Sequence, residues 1–211
     1  MIGIIDSGIA NLRSVQKGFA RIGAEARIAE DPRLLREAAG IVLPGVGAFA
    51  DGIGKLASHG FVEPLRRAIE QGKPVLGICL GLHFLFSESE EFGLHKGLNL
   101  LAGRVQRFPD DVPDPAVPNA RLKVPHMGWN RVRVIRPAPI LAGLPEDPYF
   151  YFVHSYYVEP ADPAITAGTT EYGRRFTSVI WRDNLFATQF HPEKSQAAGL
   201  ALLANFAALA R

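Results

Sequence analysis

The chain holds a single cysteine, Cys79, and the residues around it restrict the fold more than any other segment. Pro74-Val75-Leu76 leads into Gly77-Ile78-Cys79-Leu80-Gly81, and Leu82-His83-Phe84-Leu85-Phe86 follows. An apolar run, a turn of small residues and a second apolar run read as strand, sharp reversal and helix, with the thiol at the apex above an α/β sheet. The flanking glycines leave room for a strained apex backbone that would not admit neighbouring Cβ atoms. A sulfur placed there lies among unpaired N–H groups at the positive end of a helix, which favour its anion. The same N–H groups, Leu80's first, can face the oxyanion formed when the sulfur attacks a carbonyl. An isolated cysteine is otherwise a small apolar residue packed at a strand end, so the presence of a base decides between the two readings.

A base with an orienting carboxylate stands near the C-terminus. Phe186-Ala187-Thr188-Gln189-Phe190-His191-Pro192-Glu193-Lys194-Ser195 is an alternating strand that stops at a proline. Pro192 biases His191 toward an extended backbone, and residues two apart in such a segment point the same way. His191 and Glu193 therefore project together, the carboxylate holding one ring nitrogen while the other takes a proton from Cys79. Ser195 or Glu193 could instead serve only as a cap for the following helix. A second oxyanion donor is expected from Leu43-Pro44-Gly45-Val46-Gly47-Ala48-Phe49, which follows the apolar strand Gly40-Ile41-Val42-Leu43 and would lie at the same carboxyl edge of the sheet. The amides around Val46 are the candidates. This segment has neither a G-K-[ST] ending nor a G-x-G-x-x-G spacing, so it does not read as a nucleotide loop.

Together, G-I-C-L-G, P-G-V-G-A-F and F-H-P-E-K-S resemble the class I, or triad, glutamine amidotransferases over nearly the full length. Within that class, Lys123-Val124-Pro125-His126-Met127-Gly128-Trp129-Asn130 and Tyr151-Phe152-Val153-His154-Ser155-Tyr156-Tyr157 are similar to the glutaminase subunits of imidazole glycerol phosphate synthase. The resemblance implies that Cys79 attacks the side-chain amide of glutamine, that His191 protonates the departing ammonia, that Glu193 fixes the imidazole, and that water hydrolyses the thioester to glutamate. It implies an oxyanion hole at Val46 and Leu80, and glutamine contacts from Gly45, Gly47, His83, His154, Ser155 and Tyr156. It also implies a heterodimer with a synthase (cyclase) subunit, met by Asn11, Met127, Trp129, Tyr151 and Lys194. Ammonia would pass into the partner's barrel without meeting water, where it would become ammonium and lose the lone pair needed for attack. The partner would join it to a phosphoribosyl-linked imidazole-carboxamide precursor, giving imidazole glycerol phosphate and an aminoimidazole carboxamide ribotide. Two positions depart from the family pattern. His83 stands where many relatives carry a substrate-gripping glutamine, and Asp6-Ser7-Gly8-Ile9-Ala10-Asn11 lacks the tyrosine and second glycine of Asp-Tyr-Gly-x-Gly-Asn.

Composition fits one such unit. The 211 residues, 47% hydrophobic and 21% charged, suffice for one sizeable core, expected as a single domain over 1–211. A formal net charge of +2 gives no basic stripe for nucleic acid. One cysteine excludes an intrachain disulfide and fits a reducing, cytoplasmic compartment. Met1-Ile2-Gly3-Ile4-Ile5-Asp6 lacks a basic leader region and reads as a first buried strand, and no segment reads as a membrane span.

The first half alternates as α/β proteins do: strand Met1 to Ile5, helix Asn11 to Ile22 capped by Asn11, strands Ala24 to Ala29 and Gly40 to Leu43, helix Phe61 to Gln71, strand Lys73 to Ile78 and the elbow helix. A doubly wound, mostly parallel sheet is expected, with chemistry at the carboxyl ends of its strands. From Leu98 onward, strand-like pieces at Arg131 to Ile135, Tyr149 to Val153, Ile165 to Thr170 and Phe176 to Phe190, turning near Asp183, would extend the sheet or add a smaller antiparallel one. Pro109 to Pro118 reads as a surface loop, and Ala197 to Ala210 as a helix packed on the sheet. His59, His95 and His126 lack zinc-ligand spacing and read as surface or packing residues; no metal or cofactor is expected. Two rival readings remain, a glutaminase serving another synthase and a silent docking subunit.

Overall fold

The computed structural model describes residues 1–8, 11–114 and 117–210. Ile9 and Ala10 of the Asp6 to Asn11 segment, and Pro115 and Ala116 of the proline-rich span, lie outside the described residues, as does Arg211. The first half runs β1 (Ile2–Ile5), α1 (Leu12–Arg21), β2 (Ala26–Ala29), α2 (Leu34–Glu37), β3 (Gly40–Gly45), α3 (Phe49–Ser58), α4 (Val62–Glu70), β4 (Val75–Cys79) and α5 (Leu80–Phe84). The second half runs β5 (Phe86–Ser89), β6 (His95–Lys96), β7 (Leu101–Arg107), β8 (His126–Arg131), β9 (Arg133–Val134), β10 (Tyr149–His154), β11 (Tyr156–Pro160), β12 (Thr166–Glu171), β13 (Arg175–Arg182), β14 (Leu185–Thr188) and α6 (Gln196–Leu209).

Strands β2-β1-β3-β4-β14 pair in parallel, as the alternation of strands and helices predicts. The sheet continues through β13, β11, β7, β5 and β6, with β12 and β9 attached beside β13. Both sequence alternatives for the second half occur: strands that are antiparallel except for the parallel β5–β7 pair extend the large sheet, and β8 with β10 forms a separate two-stranded ribbon. The β13–β14 reversal falls at Asp183, whose φ of 53° is the left-handed conformation an Asp in a tight turn tolerates. It returns the chain so that β14 lies beside β4, Thr188 opposite Ile78. On the other side of β4, Gly45 lies opposite Cys79. The last residues of β3, β4 and β14 thus reach one sheet edge together, which places the Pro44 to Gly47 segment, Cys79 and His191 at a common site.

Period-2 alternation fills both faces of the sheet. Ile4, Val42, Leu76 and Ile78 point toward α1 and α6, packing with Val15, Phe19, Leu202, Leu203 and Phe206. Ile5, Ile41, Leu43 and Val75 point the other way, against Leu35, Phe49, Leu56, Phe61 and Leu65. Each large side chain so buried contributes about 1.5–3 kcal/mol, and helices on both faces account for the near-continuous apolar runs of the parallel strands. Among the described residues no helix is long and apolar enough to cross a membrane.

Three segments differ from the sequence reading. The elbow helix ends at Phe84, two residues early, because the carbonyls of Phe84, Leu85 and Phe86 accept N–H groups from Leu98, Leu101 and Asn99 instead of continuing a helix. Helix α3 went unread because Gly52 and Gly54 depress helix propensity; its first N–H, that of Phe49, donates to Glu91 Oε2 at 2.7 Å. Met127 to Asn130, outside the strands expected from the sequence, is the core of β8, and the expected strand from Arg131 to Ile135 is reduced to the end of β8 and the short β9.

Gly81 shows how tightly the elbow is set: a Cβ there would lie 1.8 Å from the Leu43 carbonyl oxygen. Gly81→Ala should lower stability by about 1–3 kcal/mol, read as a lower urea midpoint. An unchanged midpoint would show that the elbow does not rest on this approach.

Candidate active site

Cys79, the last residue of β4, is 7% exposed and has φ 54° and ψ −110°. This is strained backbone for a residue with a side chain, and it turns the thiol out of the strand direction, as the sequence of the elbow predicts. The strain is held by close backbone approach. A Cβ on Gly45 would lie 2.9 Å from Leu80 Cβ, and one on Gly77 would lie 3.0 Å from the Gly81 carbonyl oxygen. Gly45 is thus buried beneath the elbow and does not line the cavity above it, whereas Val46, Gly47 and Leu80 do.

His191 and Glu193 project together, as the proline spacing predicts. His191 is extended at φ −98° and ψ 96°, and its Nδ1–H donates to Glu193 Oε1 at 2.8 Å. The two side chains are 4% and 2% exposed. Ser195 does not cap α6 with its side chain. Its hydroxyl donates to the His191 carbonyl at 2.6 Å and accepts the Tyr151 N–H at 3.0 Å, locking the turn to β10. His191 Nε2 is buried without a hydrogen-bond partner of good geometry among the described residues, and Cys79 is the neighbour that acts on it. Burial, the largest single influence, lowers the His191 pKa. The charge and hydrogen bonding of the Cys79 sulfur, joined by those of Glu193, override it and raise the value to about 10. The sulfur and the Glu193 carboxylate thus both favour the charged form of the ring.

Cys79 and His191 share a cavity of about 540 Å³ with Val46, Gly47, Leu80, His83, His154, Ser155, Tyr156 and Lys194, and Glu193 stands behind His191. Met127, Trp129 and Tyr151 lie beyond it, on the ribbon, and Asn11 is exposed at the start of α1, where its side chain makes no capping bond. Several wall residues escaped the sequence reading. Glu91 and Arg107 bring opposite charges to the cavity, and no periodicity in Ser89-Glu90-Glu91 or Gln106-Arg107 marks them. Gln189 is fully buried between His83 and Cys79; its position two residues before His191 in an alternating strand was a usable signal.

The ribbon separates its residues by face. Met127 and Trp129 of β8, with Tyr149 and Tyr151 of β10, form the outer face, where Met127 is 62% and Trp129 47% exposed. Trp129 meets the Tyr151 ring edge-on, and Lys194 Nζ stands over that ring at 5.9 Å. The inner face carries His126, which is a packing residue as expected but also belongs to a polar chain. Since a carbonyl only accepts, His154 Nδ1–H donates to Tyr156 O at 2.7 Å; its Nε2 then accepts His126 Nδ1–H at 2.9 Å, and His126 Nε2 accepts the Asn130 amide at 3.1 Å. Both ring nitrogens of His154 are thus occupied within the protein. Among the described residues no group of three or more His, Cys, Asp or Glu side chains is disposed to hold a metal ion.

A family model described as glutamine amidotransferase class-I matches residues 3–209. The imidazole glycerol phosphate synthase subunit HisH of Syntrophotalea carbinolica is 57% identical over 206 residues, covering 98% of both chains. That of Geobacter sulfurreducens is 52% identical over 205 residues, covering 97% of both. Among solved structures, one described as a glutamine amidotransferase matches with a TM-score of 0.73 at 18% identity, covering 99% of this chain and 98% of its own. A putative GMP synthase subunit from Thermoplasma acidophilum matches with a TM-score of 0.70 at 20% identity, covering 99% and 92%. At those identities the solved structures speak for the fold alone.

Acid should weaken the fold through its buried neutral histidines. Burial lowers the pKa of His83 and of His126 to about 4, and burial, followed by repulsion from His126, puts His154 well below its ordinary value. Below about pH 6.5 the unfolded chain binds protons that the folded chain refuses. Stability should fall from there toward pH 4, with a limiting slope of about 1.4 kcal/mol per pH unit for each histidine. His191, with its raised pKa, contributes stability that is complete below pH ~6.5 and lost as pH climbs toward 10, so it does not oppose the acid slope. Equal urea midpoints at pH 7 and pH 5 would show that folding does not keep these rings neutral.

Proposed function

The chain belongs to the class-I glutamine amidotransferase family, and we propose from that premise that it is the glutaminase subunit of an imidazole glycerol phosphate synthase. It hydrolyses glutamine to glutamate and ammonia, supplying the ammonia to a synthase (cyclase) subunit in histidine biosynthesis. The observation that supports it most is the meeting of a strained cysteine and a buried, carboxylate-backed histidine in one cavity.

In this reading Cys79 and His191 rest as a sulfur anion beside an imidazolium. The anion attacks the glutamine carboxamide carbon, and the negative oxygen faces the backbone N–H groups of Val46 and Leu80. Collapse breaks the C–N bond as His191 Nε2 gives its proton to the departing nitrogen, releasing ammonia. The neutral imidazole then takes a proton from water, hydroxide adds to the thioester, and breakage of the C–S bond restores the anion and imidazolium. Glu193, bound to Nδ1, holds the ring in register and stabilises its charge in both half-reactions. The free amino acid has two charges to place, and the wall carries a group of opposite sign for each: Glu91, which also accepts the Phe49 N–H, for the α-ammonium, and Arg107, whose guanidinium Asp110 would share, for the α-carboxylate. The Ser155 and Tyr156 backbone lies along the same wall, its position fixed by the His154 bond to Tyr156 O.

The synthase subunit is met, in this proposal, by the outer face of the ribbon as a heterodimer in the cytoplasm, with 1–211 acting as one glutaminase domain. Two observations support that face: its exposed Met127, Trp129 and Tyr149 form an apolar surface of the kind that marks an interface, and Lys194 joins it to the cavity. Ammonia released at Cys79 would then leave toward the partner and not into water.

Cys79→Ala should abolish glutamine-dependent synthesis in the complex while leaving synthesis from added ammonia intact; loss of both would point to damaged assembly. Glu91→Gln should raise KM for glutamine at least about tenfold, as expected for one lost charged contact, with a smaller change in kcat. If KM stays fixed, Glu91 is not the ammonium site. A docking subunit without activity would show no glutamine-protectable labelling of Cys79.

A further inference from the structure

His83 sits on α5, one turn past Cys79, and it is 5% exposed. Its Nε2 lies 2.8 Å from Gln189 Oε1, and the other end of that carboxamide, Nε2, lies 3.9 Å from Cys79 Sγ. Gln189 is fully buried, and its own backbone N–H is tied to Ser178 O at 2.9 Å. Three side chains therefore stand in series, His83 to Gln189 to Cys79.

The chemistry of the three groups fixes the direction of the series. A sulfur anion has no proton to give, so a polar group facing it must donate. The Val153 carbonyl oxygen, 4.0 Å from the sulfur, accepts from the thiol and opposes the anion, so support for the anion has to come from another group. The Gln189 amide nitrogen can donate, but a carboxamide presents its oxygen as readily as its nitrogen unless something holds it. Turned over, it would aim a partial negative charge at the anion. With the nitrogen toward sulfur, the oxygen faces His83 and requires a donor, which a neutral imidazole supplies only as its Nε2–H tautomer.

We infer that His83 is a positioning residue for the nucleophile: as the Nε2–H tautomer it holds the Gln189 carboxamide with its NH₂ toward Cys79, favouring the sulfur anion. It acts through Gln189 and does not touch the reacting carbonyl. The lowered pKa of His83 leaves it neutral at pH 7, where one fixed tautomer can serve this role. The other titratable and charged groups around the sulfur's cavity are His191 with Glu193 behind it, His154 on β10, Tyr156 on β11, and Glu91, Arg107 and Lys194 on the wall.

The inference rests on Cys79 being the nucleophile, and the single thiol of the chain lets one experiment address both. Iodoacetamide alkylation of the full chain, followed from pH 5 to 9, reads Cys79 alone. In the wild type a prior reaction with an electrophilic glutamine analogue should block this alkylation; a Cys79 that the analogue leaves fully alkylatable would overturn the nucleophile reading itself. His83→Phe and Gln189→Met should each raise the pH midpoint of alkylation by about one unit, in line with a lost hydrogen bond to a charged group. The double variant should go no further, because the two act in series, and His83→Gln, whose amide can also donate to Gln189 Oε1, should restore most of the shift. Unmoved midpoints in folded single variants, or additive shifts, would overturn the inference while leaving Cys79 as nucleophile. A further measurement needs no substitution: ¹⁵N–¹H correlation spectra of the wild type should show His83 as the Nε2–H tautomer at pH 7, and an Nδ1–H tautomer would refute the arrangement.

Discussion

The turn at Cys79 depends on backbone packed against backbone where no Cβ atom fits. Gly81 lies over the Leu43 carbonyl, Gly45 lies under Leu80, and Gly77 backs onto the Gly81 carbonyl. These approaches press β3 and β4 against the start of α5, so the cysteine can adopt a positive φ that an L-residue in a freer segment would relax. The strain is local, and the support comes from strands buried on both faces. Where the thiol points is therefore a property of the sheet as a whole.

The remaining groups reach this point through two further constraints. Placing β14 beside β4 brings the chain back to the same edge, and Pro192 then ends the strand so that His191 and Glu193 share a side. Ser195 ties that turn to β10, whose continuation forms the opposite wall. The site is thus enclosed by elements more than a hundred residues apart in sequence. Each imidazole has a distinct electrostatic role. The Cys79 sulfur and the Glu193 carboxylate raise the pKa of His191, whereas burial lowers those of His83, His126 and His154 against the hydrogen bonds that hold His83 and His154 in place.

Much of this was legible in the residues because the relevant rules are local. The elbow follows from glycine spacing around Cys79, the paired projection of His191 and Glu193 from a proline after an extended strand, and the parallel half from alternating apolar runs. What was not legible depends on tertiary partners. The elbow helix stops at Phe84 because residues near 100 supply donors to its carbonyls. The strand character of Met127 to Asn130 comes from pairing with β10, not from propensity. Glu91 is a wall residue only because Phe49 opens a helix beside it, and Gln189 gains meaning only once α5 sets His83 against it. Asn11 illustrates the reverse case: its position at the start of α1 is as read, yet its side chain makes no capping bond.

In the proposed mechanism Cys79 works as a sulfur anion, a form readily oxidised to a sulfenic acid, which many proteins rescue by condensing it with a second thiol of the same chain. Here no second thiol exists. Under that proposal, recovery from peroxide would fall to a small external thiol able to enter the cavity, and a bound glutamine, by filling that space, would shield the sulfur from oxidant and reductant alike.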